Sequence, residues 1–574
     1  MSAEDRSFMK SLFHGLIEEN LVFPYPEMQP EEKENVTLIL DNIRKFADSE
    51  VDAAKIDREH HIPDELLSKM KELGLFGLTI AEEHGGFGLS ATAYARVMQE
   101  MGAIDASLAV TMGAHQSIGL KGILLFGTDA QKAQYLPSLA TGEKVAAFAL
   151  TEPGAGSDAA SITTRAELSD DGTHYLLNGS KIWITNGAYA DVFTVFARTS
   201  APDPGVKPRI TALIVDRTEG LTHGPAEDKL GIRGSSTTEI FFDNVKVPVE
   251  NVLGEPGRGF KVAMQVLNSG RLGLASGCVG ASKKLIQMST ERVQERKAFG
   301  RPIGEFGMIK EKIARMTAET YALESMTYLT TGLIDEGVHD YSLESAICKV
   351  YGSETLWYVV NQTLQIAAGI GYMAEYPYER MLRDARINLI FEGTNEILRA
   401  FIALSGMQSP GKQLAEVAKA MREPIKGFGI LQDFAIHKAR SLVRRERLER
   451  VHPALRAEAV FFEEAAAELA QRSEQVLRKH GRDIAEMQFV QKRIADVAID
   501  LYALASVLSR TTRAIEQKGE SGAQRELNLT NAFAILAKGR LDDRLGNMER
   551  DSDELLKAIA GQTYEDGGYS FDIV

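Results

Sequence analysis

The sequence predicts a mainly helical protein in which a β domain is inserted between two helical regions and a further helical region follows. Apolar residues at helical spacing dominate the first and last parts of the chain, whereas short β-like runs fill a middle part. The length of 574 residues also exceeds what one hydrophobic core usually organises. We therefore expect domains over residues 1–145, 146–255, 256–405 and 406–574.

Residues 1–145 carry apolar side chains three and four positions apart, as in the stretches 38–46 and 66–73. This spacing predicts helices, and the turn Gly85–Gly88 separates two of them. Residues 146–255 instead show short runs rich in β-branched and aromatic residues, which predict strands. These runs are Tyr175–Leu177, Lys181–Thr185, Val192–Phe196, Ile210–Val215 and Ile240–Phe242.

Helical spacing returns over residues 256–405. The stretch Gly406–Gly411, which contains Pro410, predicts a break before the last helical region. In that region one predicted helix has a single apolar stripe. The stripe consists of Phe489, Val490, Ile494, Val497, Leu501 and Leu508.

Composition narrows the possible partners and compartments. The formal charge of −15 argues against a nucleic-acid partner, and no apolar run approaches the ~20 residues needed to span a bilayer. Cys278 and Cys348 lie apart in apolar stretches, so we expect buried thiols, no disulfide and no metal site. Because Met1–Arg6 lacks the features of a secretory signal, we expect a protein that is not secreted.

Two strings in the predicted β domain suit a planar polar ligand. Phe148–Asp158 ends an apolar run with small residues, whose backbone N–H groups and hydroxyls can receive such a ligand, although a generic glycine-rich loop explains it equally well. In Ile182–Thr185, Trp183 can stack on a ring system while Thr185 meets a ring heteroatom. The alternative is that Trp183 belongs to the core.

A third string, Ile390–Arg399, carries a carboxylate in a turn. An apolar segment ends there and a helix is predicted to start at about Asn395, so Glu392 would lie beside helix-terminal N–H groups. A capping role is the simple interpretation of Glu392, and a general base is the alternative.

Together these strings resemble the acyl-CoA dehydrogenase family over residues 40–405. Other segments resemble its very-long-chain branch and the paralogue that assists respiratory complex I. They are Gly113–Gly119, Lys121–Gly127, Glu324–Tyr328, Val451–Pro453 and Gln491–Tyr502. The resemblance implies the acyl-CoA dehydrogenase fold of helical, β-barrel and helical domains plus an extra helical domain, acting as an FAD-dependent homodimer.

The resemblance also implies a role for individual residues. Glu392 would remove the α-proton of a fatty acyl-CoA while the β-hydride passes to flavin N5, giving a trans-2-enoyl-CoA in β-oxidation. Substrate contacts would come from Ser157, Asn268, Arg271 and Gly393. FAD contacts would come from Phe148, Leu150, Thr151, Gly156, Ser157, Trp183, Ile184, Thr185, Thr394 and Asn395, and, across a subunit interface, from Arg296, Phe299, Gln365 and Gly369.

The sequence departs from some relatives at three places that bear on the site. Some members carry the base on another helix immediately before an Arg, but here Gly270 stands before Arg271, so Glu392 is the candidate base. Many members have a second glycine where Ala368 stands and a Gln where Gly307 stands, so we expect FAD binding with different local contacts. Small residues within Val110–Ala114 predict room for a long acyl chain, although such residues also serve close helix packing.

Residues 426–447 combine apolar side chains with clustered Lys and Arg, which is typical of peripheral contact with an anionic membrane and also of a solvated charged helix. The family implies electron-transferring flavoprotein as electron acceptor. We expect a cytoplasmic or peripheral inner-membrane location in a bacterium and the mitochondrial matrix side in a eukaryote. Alternatives are a scaffold for respiratory-complex assembly, an acyl-CoA oxidase and a DNA-binding relative, which the acidic charge disfavours.

Overall fold

The computed structural model describes residues 7–199, 209–422 and 446–573. The chain divides into two compact units, one formed by residues 25–395 and the other by residues 1–24 with 396–574. The first helix, α1 (Phe8–Leu12), belongs to the second of these units. The predicted domain boundaries remain a prediction.

The unit of residues 25–395 begins with a set of helices that precede the sheet. Several start at side chains that cap the free N–H groups of the first turn: Ser90 accepts from Ala93, and Asp105 accepts from Leu108. The helices are α2 (Pro30–Glu50), α3 (Ala53–Glu59), α4 (Asp64–Glu72), α5 (Ala91–Ile104), α6 (Ala106–Gly113), α7 (Lys121–Phe126) and α8 (Asp129–Ala140).

A π-helical segment, Ala114–Gly119, connects α6 to α7 and brings polar side chains into the interior. His115 is fully buried, accepts from the Ala146 N–H at 2.9 Å through Nδ1 and contacts the Phe76 and Leu139 carbonyls through Nε2 at 3.1 Å. These partners fix the neutral tautomer with the proton on Nε2. The segment therefore ties the helices to the first strand of the sheet.

The β domain is a mixed eight-stranded sheet with the order β6-β7-β3-β2-β4-β5-β8, to which β1 adds through a parallel pairing with β4. The predicted strand runs are confirmed, and the first two belong to one long strand, β3. The strands are β1 (Ala146–Ala149), β2 (Arg165–Leu168), β3 (His174–Thr185), β4 (Val192–Thr199), β5 (Arg209–Asp216), β6 (Leu221–Ala226), β7 (Thr237–Pro248) and β8 (Val252–Leu253).

Long helices follow the sheet and complete this unit. A methyl group on Gly280 would lie 1.7 Å from the carbonyl oxygen of Gln99, so a glycine is required where α9 meets α5. A short hairpin, β9 (Lys297–Ala298) and β10 (Arg301–Pro302), interrupts the helices. The helices are α9 (Gly259–Glu295), α10 (Gly307–Asp335), α11 (Ser342–Ala367) and α12 (Pro377–Arg386).

The other unit is helical in its described part. In its core the ring of Phe8 lies 6.5 Å from that of Phe462 and 6.2 Å from that of Tyr502. Its interior also holds ion pairs, such as Arg399 with Asp496 at 2.7 Å. Besides α1, its helices are α13 (Asn395–Arg422, from Glu396 onward), α14 (Arg456–His480), α15 (Gln488–Gly522), α16 (Gln524–Gly546) and α17 (Ser552–Glu565).

The break predicted at residues 406–411 is wrong, because α13 continues through Pro410. A proline removes only one backbone hydrogen bond and crowds the carbonyl four residues earlier, here that of Gly406. Gly406 packs its backbone directly against the ring of Phe13, where a methyl group would lie 2.3 Å from a ring carbon. Tertiary packing of this kind outweighs the local cost of the proline.

The predicted fold class, mainly helical with an inserted β domain and a further helical region, is confirmed. Cys278 and Cys348 are both free and buried, as expected. In the described ranges no helix is long and apolar enough to cross a membrane. The predicted membrane segment 426–447 lies outside the described residues except for its last two positions, of which Arg447 is exposed.

Candidate active site

Glu392 stands in a strained turn between two helical segments. A short 3-10 turn, Ile387–Leu389, follows α12, and α13 begins at Asn395. Between them Glu392 has φ 57° and Gly393 has φ 95°, so two consecutive residues adopt the left-handed region. Glutamate rarely adopts this conformation, which costs of order 1 kcal/mol or more and persists only where surrounding contacts impose it.

Helix α9 supplies those contacts on one side. The Arg271 Nε donates to the carbonyl oxygen of Glu392 at 3.3 Å, and its Nη1 donates to Asn268 Oδ1 at 3.0 Å. A methyl group on the neighbouring Gly270 would lie 2.8 Å from both carboxylate oxygens of Glu392. Glycine at position 270 therefore leaves the space that the Glu392 carboxylate occupies.

The Glu392 carboxylate is poised to exchange a proton. Burial raises its pKa to about 7, against the lowering effect of the nearby Arg271 and Lys349 cations. Its Oε2 is buried and has no hydrogen-bond partner in the described part of the chain. Burial also lowers the pKa of Arg271 to about 10. A carboxylate with such a pKa and a free oxygen suits a general base better than a helix cap.

Lys349 on α11 is a site residue that the sequence interpretation missed. Its side chain is fully buried, and its Nζ donates to the Gly393 carbonyl and to Asn395 Oδ1, each at 2.8 Å. Asn395 is buried as well and also bonds to Ser353 and Glu354. The available signal was one lysine inside the otherwise apolar stretch Ala346–Tyr351, whose residues are all buried in the structure.

The two strings proposed for a planar ligand lie side by side. The N–H of Ile182 donates to the carbonyl of Thr151 at 2.9 Å, which joins the Phe148–Asp158 turn to strand β3. The β3–β7 pairing slips between Lys181 and Ile184, and within this bulge Trp183 has φ 58° and is 61% exposed. A bulge re-aims a side chain out of the sheet, so Trp183 is not a core residue.

A buried ion pair holds the same turn. Lys181 and Glu152 meet at 2.8 Å with both side chains almost fully buried. Glu152 also accepts from Thr163 and Thr164, and although burial raises its pKa, these hydrogen bonds and Lys181 lower it to about 2. Lys181 in addition donates to the Leu150 carbonyl at 3.0 Å. The pair fixes the backbone on which Thr151, Gly156 and Ser157 are presented.

The remaining predicted residues differ in exposure. Leu150 and Ile184 are buried in the core, whereas Phe148, Thr185 and Thr394 are partly buried. Residues with exposed side chains or backbone are Gly156, Ser157, Arg296, Phe299, Gln365 and Gly369, and Phe299 is 95% exposed.

Family models match almost all of this architecture. The acyl-CoA dehydrogenase N-terminal, middle and C-terminal domains match residues 33–143, 147–245 and 257–407. The ACAD9/ACADV C-terminal domain matches residues 453–569.

Whole-chain relatives agree with the domain matches. The mitochondrial very long-chain specific acyl-CoA dehydrogenase of Homo sapiens is 44% identical over 99% of this chain and 88% of its own length. The chain belongs to the acyl-CoA dehydrogenase family. A probable acyl-CoA dehydrogenase of Bacillus subtilis is 37% identical over 83% of this chain and 79% of its own. The acyl-CoA dehydrogenase of Bacillus anthracis complexed with FAD has a TM-score of 0.79 at 33% identity, covering 96% of this chain and 94% of that one.

As an acyl-CoA dehydrogenase, the protein is an FAD-dependent oxidoreductase. The residues present fit that cofactor. Trp183 offers an exposed aromatic face for a flat ring system. The turn at Gly156 is open, since a methyl group there would meet nothing nearer than Thr151 Cγ2 at 3.9 Å.

Proposed function

We propose that this acyl-CoA dehydrogenase acts on long or very-long-chain fatty acyl-CoA, and that Glu392 is the base that removes the α-proton. The observation that carries the proposal is the Glu392 carboxylate itself. It has a buried oxygen without a hydrogen-bond partner in the described chain, and burial raises its pKa to about 7. A base of this kind can take a proton near neutral pH and hold it afterwards.

The reaction requires two groups of the chain, a base for the α-proton and a hydrogen-bond donor to the thioester oxygen. An α-proton of a thioester is very weakly acidic, so negative charge must be stabilised on the thioester oxygen as the proton moves to Glu392. The backbone N–H of Glu392 is the proposed donor to that oxygen, and the left-handed turn held by Arg271 would fix its direction. FAD, when bound, supplies the oxidising power by accepting hydride from the β-carbon.

Ligand contacts follow from the same proposal. Ser157, Asn268, Arg271 and Gly393 would contact the acyl-CoA, and Arg271 and Gly393 lie in or against the Glu392 turn. Phe148–Ser157, Trp183–Thr185 and Thr394–Asn395 would contact FAD within one chain. Among these, Asn395 would act through the backbone, because its amide is bonded to Lys349 and Ser353.

A preference for long acyl chains has support from one relative and one contact. The human relative is described as very long-chain specific. In this chain the acyl group would extend along Val110–Ala114, where Gly113 has Met98 as its nearest neighbour, 3.2 Å from the position of a methyl group. Because methionine is unbranched and adapts its shape, Met98 would move aside to make room for additional methylene groups.

The proposal also includes partner proteins and a cellular location. A homodimer would cover Arg296, Phe299, Gln365 and Gly369, whose exposure in the single chain supports contact with a second copy. Electron-transferring flavoprotein would accept the electrons. Membrane contact through residues 426–447 completes the proposal, with a cytoplasmic or peripheral inner-membrane location in a bacterium and the mitochondrial matrix side in a eukaryote. The human relative is described as mitochondrial.

The test of the base is Glu392→Gln in FAD-loaded protein. We expect FAD content and acyl-CoA binding to persist while dehydrogenation falls about 10³-fold, because general bases contribute about 10²–10⁴. Glu396→Gln is the matched control, since Glu396 is an exposed carboxylate on the next turn. Near-normal turnover by Glu392→Gln, with an artificial electron acceptor and acyl-CoA of several lengths, would contradict the assignment.

A further inference from the structure

Lys349 is a buried cation whose hydrogen bonds go to uncharged groups. Its ammonium donates to the Gly393 carbonyl and to Asn395 Oδ1, and its side chain is 0% exposed. Burial of an ammonium group is costly unless its donors are satisfied. Both acceptors belong to the turn that starts α13, so the turn and the lysine are mutually dependent.

A second cationic side chain, that of Arg271 on a different helix, also contacts the turn. Arg271 on α9 donates to the carbonyl of Glu392, and Lys349 on α11 donates to the carbonyl of Gly393. Two successive peptide oxygens are thus held from two directions, across the pair of residues with left-handed φ. Loss of either donor would release a strained turn whose preferred conformation is different.

We propose that Lys349 is a positioning residue, which holds the Glu392 carboxylate against Gly270 by fixing the Gly393 carbonyl and the Asn395 amide. The proposal rests on the proposed role of Glu392 as the base. Lys349 is not itself a catalytic residue, because its hydrogen bonds go to the turn and not to the carboxylate.

The charge of Lys349 has a separate, measurable effect. The groups that interact electrostatically with Glu392 are Arg271 from α9 and Lys349 from α11, with the buried phenol of Tyr94 from α5 also nearby. Burial raises the pKa of the Glu392 carboxyl, and the two cations oppose that rise. Removing the ammonium should therefore raise the pKa of Glu392 further.

The titration of Lys349 itself must be considered in the same experiment. Burial lowers the pKa of Lys349 to about 8, Glu392, Cys278 and Glu354 oppose that effect, and Arg271 adds to it. Lys349 is therefore mainly protonated at neutral pH and loses its charge as the pH rises through about 8. The informative limb of the pH profile is the acid limb, where Lys349 is charged and Glu392 titrates.

The experiment compares pH profiles of kcat for FAD-loaded wild type, Lys349→Met, Lys349→Arg and Ser353→Ala. In Lys349→Met we expect kcat to fall by at least about 10-fold, since a small displacement of a catalytic group is costly, and the acid limb to move to higher pH. Lys349→Arg keeps the charge in a different shape, so its acid limb should stay in place while kcat recovers only in part. Ser353→Ala is the control, because it removes a hydrogen bond to Asn395 without changing charge.

Each outcome decides the proposal. A kcat of Lys349→Met near that of wild type, an acid limb of Lys349→Met at the wild-type position, or a limb moved equally in Ser353→Ala, overturns it. If Lys349→Met does not fold, full kcat in Lys349→Arg overturns it, and reduced kcat with an unmoved acid limb supports it. Near-normal turnover by Glu392→Gln would refute both the proposed base and the positioning role of Lys349. An inactive Glu392→Gln together with an unmoved acid limb in Lys349→Met would refute the role of Lys349 alone.

Discussion

Replacing Gly270 by alanine tests the geometry of the site with one methyl group. The added carbon would lie 2.8 Å from Oε1 and Oε2 of Glu392 and from Cγ2 of Ile118. Relaxed carbon–oxygen contacts are about 3.3–3.6 Å, so the carboxylate must retreat by about 0.5–0.8 Å. Because Arg271 and Lys349 hold the carbonyls of the Glu392 turn, the backbone resists following, and the side chain must leave its position.

The expected loss follows from that displacement. Misplacing a catalytic group by about 1 Å can cost about 10²-fold, so we expect kcat/KM of Gly270→Ala to fall about 10- to 100-fold with FAD content unchanged. Gly273→Ala is the matched control on the same helix. Its methyl group would meet Ser117 and Tyr94 at ordinary distances of 3.9 Å, so activity should stay near wild type.

Both substitutions replace a helical glycine by alanine, which favours the helix by up to about 1 kcal/mol. A difference in activity between them therefore reports on the contact with Glu392 and not on helix stability. The assay is steady-state turnover of a long-chain acyl-CoA with an artificial electron acceptor. A Gly270→Ala enzyme within about twofold of wild type would refute the close approach of Gly270 to the base.

Two further predictions concern stability. Lys181→Met should lower the free energy of unfolding by about 3–5 kcal/mol in urea titration, because Glu152 would remain buried without its cation. An unchanged urea midpoint of unfolding would contradict this prediction. Burial lowers the pKa of His115 from 6.5 to about 4, so the folded state binds fewer protons than the unfolded state between these values. The stability that neutral His115 contributes is present above pH 6.5 and is lost as the pH falls toward about 4. In melting experiments His115→Gln should therefore show a smaller decrease of melting temperature with falling pH over this range. An equally large decrease in the variant would count against His115.

Local pattern was sufficient for most of the fold. Short runs rich in β-branched and aromatic residues, such as Val192–Phe196, became strands, and the stripe Val490–Leu508 became a buried helix face, because composition and helical spacing are properties of neighbouring residues. Pro410 was misleading for the same reason. A proline signals a break when only its neighbours are considered, but the contact between Gly406 and Phe13 lies far apart in the sequence.

The candidate site was only partly predictable. The local pattern drew attention to Glu392 as a carboxylate between an apolar segment and a helix, but its role as a base was implied by the resemblance to the family. The approach of Gly270, the carbonyl contact of Arg271 and the burial of Lys349 depend on packing between α9, α11 and the start of α13. These partners are separated from Glu392 by 122, 121 and 43 positions in the chain, so no local pattern could have revealed them.

Unfavourable backbone conformations occur in several of the segments proposed to contact FAD or substrate. Eight described residues other than glycine have a positive φ, among them His60, Asn186, Ile232 and Asn244; the other four, Trp183, Phe299, Ala368 and Glu392, lie within or next to segments proposed to contact FAD or substrate. None of these last four residue types favours that conformation, so propensity argues against each turn and only tertiary contacts can impose it. For Glu392 the contacts are visible, because Arg271 and Lys349 hold its turn through two carbonyls. On the proposed role of Glu392, this strain is the structural cost of directing its carboxylate and its backbone N–H toward one thioester.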